Sequence, residues 1–80
     1  MLMPSKHINF SQSLLGFGSY LAAKLKSPMS IDDLWLEYKL DLQNDLYFSN
    51  HSFDNLILTL IFLYGTNTIK EENGLLQRCD

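Results

Sequence analysis

Residues 52–64 read SFDNLILTLIFLY. Ser52 stands where a helix N-cap belongs, because its side-chain oxygen can accept an amide hydrogen of the first turn. Asn50 is the competing cap. Asp54 comes next in the first turn, where the helix dipole favours an anion. Gly65 can take the left-handed conformation that ends a helix. The stretch therefore reads as a helix, yet it contains no Lys or Arg. On a 3.6-residue period Phe53, Leu56, Ile57, Leu60 and Tyr64 share one face and suffice to fill a small core. Leu58 and Phe62 fall on the opposite side, four residues apart and in reach of each other. Ile61 lies on the flank. A helix that is apolar all round is normally covered all round.

Eighty residues make one small domain, spanning residues 1–80, and a chain this short buries only about 60% of its unfolded surface. Two covers for Leu58 and Phe62 are then open. Residues 39–51 can fold over them and make them ordinary core, or another protein chain can. The second reading makes Leu58 and Phe62 partner-binding residues, with Leu36 as a weaker addition.

A hairpin comes after this helix. Asn73-Gly74 is the strongest short-range signal for a two-residue type I′ turn, pairing residues 68–72 with 75–79. The chain before residue 52 is largely helical. Phe10, Leu14, Phe17, Leu21 and Leu25 recur at spacings of four, three, four and four, one stripe of a helix over residues 11–25 capped by Asn9 or Ser11. Gly16 and Gly18 interrupt it. They do not form a phosphate loop, because position 21 is Leu and no strand precedes them, so they imply close helix packing. Ser27-Pro28 breaks the helix. Ser30 caps the next one, with Asp32 and Asp33 in its first turn and Ile31, Leu34, Trp35 and Tyr38 on its buried face. Leu36 points elsewhere. Trp35 and Phe53 belong to the core. Residues 39–51 lack clean periodicity and read as a loop that tucks Leu42, Leu46 or Phe48 inward.

The expected fold is mainly α with a C-terminal β-hairpin. The order of three helices then a wing is that of a winged helix-turn-helix, with the extended piece at residues 27–29 as its small first strand.

Composition narrows the function. The apolar fraction of 46% argues for a folded domain, and the charged fraction of 19% is low. The net charge of −3 argues against phosphate binding, which needs a basic surplus. Lys24, Lys26, Lys39, Lys70 and Arg78 could serve DNA only if folding gathers them. The single cysteine, Cys79, excludes an internal disulfide and fits a reducing compartment. The apolar run of residues 56–64 is far shorter than the ~20 residues of a membrane span, and no signal peptide is visible. The expectation is a cytoplasmic protein with no membrane partner.

Catalytic, cofactor-binding and metal-ligating residues are not expected, and neither is enzyme activity. His7, His51 and Cys79 do not form the closely spaced pairs of a zinc site. Asp32 and Asp33 point about 100° apart on a helix and do not converge. Ser52, His51 and Asp54 are neighbours at a helix start and imply no triad.

Three segments, KHINFSQSLLGFGSYLAAKL, SPMSIDDLWLEYK and HSFDNLILTLIFLYGTNTIKEENGLL, together resemble a family of bacterial subunits. These are the middle components of ABC-three-component systems, and the resemblance is to middle component 6. It spans residues 6–78. The resemblance implies a non-catalytic adaptor that links an ABC/SMC-like ATPase subunit to an effector subunit, often a nuclease. Such complexes, Lamassu among them, act against phages and plasmids, and DNA contact would come only through the complex. The alternatives are a winged-helix DNA-binding transcriptional regulator and a homodimer that uses the same apolar surface.

Overall fold

The computed structural model describes residues 6–47 and 50–79, with side chains from residue 14 onward. Three helices precede one antiparallel hairpin: α1 (Lys6–Lys24), α2 (Ile31–Gln43), α3 (Phe53–Gly65), β1 (Ile69–Glu72) and β2 (Leu75–Arg78).

The N-terminal caps form as their residue types dictate. Ser30 Oγ accepts the Asp33 amide at 3.1 Å, and Ser52 Oγ accepts the Asn55 amide at 3.1 Å. Each bond satisfies one donor that a helix start leaves orphaned. Asn9 and Ser11, expected as caps, lie inside α1, which begins five residues earlier than its apolar stripe suggests.

The C-terminal ends correct the sequence reading. Gly65 is still helical, and the left-handed residue is Asn67, with φ +62°. The Asn67 amide donates to the Tyr64 carbonyl and the Thr68 amide to the Leu63 carbonyl, the paired bonds of a Schellman motif. α2 ends the same way. Asp45 takes φ +58°, its amide donates to Leu42 and that of Leu46 donates to Asp41. Asn and Asp tolerate this conformation because their short polar side chains bond locally, so a helix stop can be written without glycine.

The hairpin takes the expected turn. Asn73 and Gly74 have φ +55° and +81°, as a type I′ turn requires, and Glu72 pairs with Leu75 beside it. The Gly74 amide also donates to Glu71 Oε2 at 2.7 Å. Met29 bridges antiparallel to Leu76, with its amide and carbonyl both bonded to that residue. β2 is therefore held on both sides at Leu76.

The core draws on every element: Phe17, Leu21 and Leu25 from α1, Leu34 and Tyr38 from α2, Leu56, Leu60 and Leu63 from α3, Ile69 and Leu76 from the hairpin. Phe10 lies outside the described side chains. α2 runs to Gln43, several residues into the stretch read as a loop. Leu42 packs partly against the core, as one alternative expected, whereas Leu46 is exposed and Phe48 lies outside the described residues. The connection is anchored by aromatic rings instead. Tyr47 sits 4.3 Å from Tyr20, and His51 stacks on Phe17 at 3.9 Å, centroid to centroid.

The face of α3 that enters the core also differs from expectation. Leu56, Thr59, Leu60 and Leu63 are buried, whereas Phe53 is 41% exposed and Tyr64 is 59% exposed. The cause is Gly18. A β-carbon there would stand 3.2 Å from Leu63 Cδ2 and 3.6 Å from Thr59 Cγ2. A bare backbone lets α1 approach α3 on the Thr59–Leu63 side and turns that side inward. Thr59 tolerates burial because its hydroxyl donates to the Asn55 carbonyl at 2.7 Å. Gly16, read alongside Gly18 as a packing glycine, has open space where its β-carbon would be.

Candidate functional site

α3 is thirteen residues long and buries one face. Its outward arc remains apolar. Leu58 is 42% exposed and Ile61 is 63% exposed, one turn apart and flanked by Tyr64. Asp54 begins this arc, and it holds no cation. Ile61, placed on the flank by sequence, is the most exposed apolar residue of the helix. The reason is the same rotation that buried Leu63.

The three partner-binding residues expected from sequence are not equivalent. Leu58 lies on the outward arc. Phe62 is partly buried against the core, and it lines a cleft toward α1 with Leu15, Gly18 and Ala22. Leu36 is exposed on α2 beside Leu40, which stands one turn further on and is exposed too. Tyr64 and Ile61 were missed as surface residues because a helical wheel fixes spacing and not rotation.

Phe53 corrects the reading that made it core. Its ring meets Trp35 edge-on at 5.3 Å, but about two fifths of the residue is exposed. Trp35 packs partly on the core and carries Lys39 Nζ 5.3 Å above its ring.

Two of the basic residues are engaged within the chain, and two others lie together. Lys24 Nζ bonds Asp41 Oδ2 at 2.7 Å and Glu37 Oε1 at 3.3 Å. Lys39 is held over Trp35. Lys26 and Arg78 share a small notch with Ser27 and Gln77. Among the described residues, no group of three His, Cys, Asp or Glu is placed to hold a metal ion.

The Lys24–Asp41 pair belongs to a polar cluster between α1 and α2. The Tyr20 hydroxyl also donates to Asp41 Oδ2. Burial alone would raise the Asp41 carboxyl, but the hydrogen bonds from Lys24 and Tyr20 outweigh it and hold the group below its usual range. Burial and the bond to Asp41 push the Tyr20 hydroxyl up. The bond to Asp41 likewise raises Lys24.

His51 braces the turn before α3. Its amide donates to the Tyr38 hydroxyl, and its Nδ1 lies 2.6 Å from Asn55 Nδ2. Burial lowers its pKa from the ordinary 6.5. A lowered value means that the unfolded chain takes the proton first, so acidification favours unfolding. The urea midpoint is expected to fall as pH drops below about 6.5, and His51→Phe should flatten that fall. An unchanged slope in the variant would remove His51 as the cause.

Among the described residues, no helix is long and apolar enough to cross a membrane. A family model described as ABC-three component (ABC-3C) system Middle Component 6 matches residues 3–79. Neither a curated protein nor a solved structure matches the chain.

Proposed function

From the premise that the chain belongs to the ABC-three component system middle component 6 family, we propose that it is a non-catalytic adaptor subunit. It would connect an ABC/SMC-like ATPase to an effector, often a nuclease, in a cytoplasmic bacterial complex of the Lamassu kind directed against phages or plasmids. The observation that carries this reading is the outward arc of α3. Leu58 and Ile61 stand exposed on a helix with no Lys or Arg. Such a surface suits apolar protein contact and offers nothing to phosphates.

We read the architecture as a winged helix-turn-helix. The order of three helices and a hairpin supports this, and so does Met29, whose bridge to Leu76 stands where the fold's small first strand would pair. In that fold α3 would be the recognition helix, here turned to protein. The regulator reading needs a basic face, and Lys24 and Lys39 are already engaged within the chain.

The test is co-expression of the tagged chain with its genomic neighbours, then a high-salt wash. Retention of an ATPase with coiled-coil arms supports the adaptor. Recovery of the chain alone, or with DNA that salt removes, sinks it. Within the same experiment Leu58→Asp should leave the fold intact and release the partner. Phe62→Asp should instead cost about 2–3 kcal/mol of stability, because a charge would enter a partly buried site. Leu36→Asp asks whether α2 joins the contact. Equal melting temperatures for the Leu58 and Phe62 variants would contradict the distinction drawn between them.

A further inference from the structure

The connection from α1 to α2 meets the end of the hairpin in a small polar notch. Leu25, Lys26, Ser27 and Pro28 line it from the connection, and Gln77 and Arg78 line it from β2. Leu25 is buried, whereas Lys26, Ser27, Pro28 and Arg78 are exposed, so the notch opens to solvent. Its cavity of about 140 Å³ is well below the roughly 300–1,000 Å³ of pockets that enclose a whole small molecule. It has room for one small polar group.

The charge in the notch selects the group. The ion pairs among the described residues are those of Lys24 with Glu37 and Asp41, and neither Lys26 nor Arg78 makes one. The chain holds nine acidic residues against six basic ones, yet none of the described acids is set against this pair. Two like charges in one notch repel, and a bound anion removes that cost. The negative end of α1 at Lys24 opposes an anion with about half a charge, against two full positive charges.

The donors narrow the anion further. Arg78 offers a planar fork and Lys26 a mobile ammonium. Ser27 adds a hydroxyl. Gln77 Nε2 donates to Glu72 Oε1 at 2.9 Å and keeps a second hydrogen. A phosphoryl group presents three oxygens to such a set, where a carboxylate presents two. We infer that the notch binds one phosphoryl group. A single contact of this kind is far short of a DNA-binding face, which takes several, and the site is independent of the outward arc of α3.

The test titrates the full isotope-labelled chain with sodium phosphate at constant ionic strength and follows the amide NMR shifts. The expected result is a saturable change confined to the amides of Lys26, Ser27, Gln77 and Arg78 and their neighbours. Lys26→Gln and Arg78→Gln, both at exposed positions, should each weaken binding about tenfold. Lys70→Gln, at an exposed cation on β1 outside the notch, should leave it unchanged. A short DNA strand added in the same way identifies the source of the group. Tighter binding with shifts still in the notch assigns it to a nucleic-acid backbone, and weaker binding assigns it to free phosphate or a nucleotide. Shifts that never saturate, that sodium acetate or sodium chloride reproduces, or that persist in the double variant Lys26→Gln with Arg78→Gln would each overturn the inference.

Discussion

Gly18→Val is expected to destabilise the protein by about 3 kcal/mol, because it overpacks a place where α1 meets α3 without a side chain between them. A single β-carbon at position 18 already stands 3.2 Å from Leu63 Cδ2 and 3.6 Å from Thr59 Cγ2. The two γ-carbons of valine reach further, into residues that are themselves buried. For a domain of this size that loss corresponds to a melting point lower by roughly 10–20 °C. Gly16→Ala is the matched control. Nothing stands within 4 Å of its β-carbon, so the helix keeps only the gain in propensity, about 1 kcal/mol of added stability. Thermal unfolding of both variants by circular dichroism checks the pair. A tolerated Gly18→Val would mean that α1 and α3 can separate without cost and that the close approach is incidental.

The second large effect is expected at Asp41. Asp41→Ala removes the acceptor of both Lys24 Nζ and the Tyr20 hydroxyl. Breaking a buried pair costs about 3–5 kcal/mol. Lys24 is 26% exposed and keeps Glu37 at 3.3 Å, so about 2–3 kcal/mol is the appropriate figure. Lys24→Met combined with Asp41→Leu should recover most of that, because no buried lone charge is left behind and Glu37, the other partner of Lys24, is 46% exposed. If the double variant is no better than Asp41→Ala, lost packing and not the orphaned ammonium is the cause. The pH dependence carries the same sign as the depressed carboxyl. The contribution of Asp41 is present above its unfolded value of about 3.9 and disappears as pH falls through its lower folded value. It therefore acts in a more acidic window than His51, and acid titrations of the two variants separate them.

Capping and turn chemistry were legible in the chain. Ser30, Ser52 and Asn73-Gly74 act over three or four residues, and local bonds decide them. Helix ends were less legible. Asn67 and Asp45 carry the left-handed turns while Gly65, the residue better suited to one, stays helical. The stretch after Tyr38 misled the reading because its ordering groups are rings, not an aliphatic stripe. Tyr47 and His51 find their partners on α1, twenty and more residues away, which no local period reveals. Asp41 gave little signal. Its partners Tyr20 and Lys24 lie on another helix, although an Asp in the third turn of α2 facing the Tyr38 side was a hint.

The candidate surface divides in the same way. Spacing alone identified α3 as a helix with more apolar residues than one face can bury, without a cation, in a chain too short to cover both sides. Spacing could not set its rotation about its own axis. That depended on Gly18, which let α1 approach and drew Thr59 and Leu63 inward. The approach left Ile61 and Tyr64 outside with Leu58, and it turned Phe62 toward α1. Periodicity is a property of one helix and is written in its residues. Rotation is a property of two helices, settled by where they can come closest.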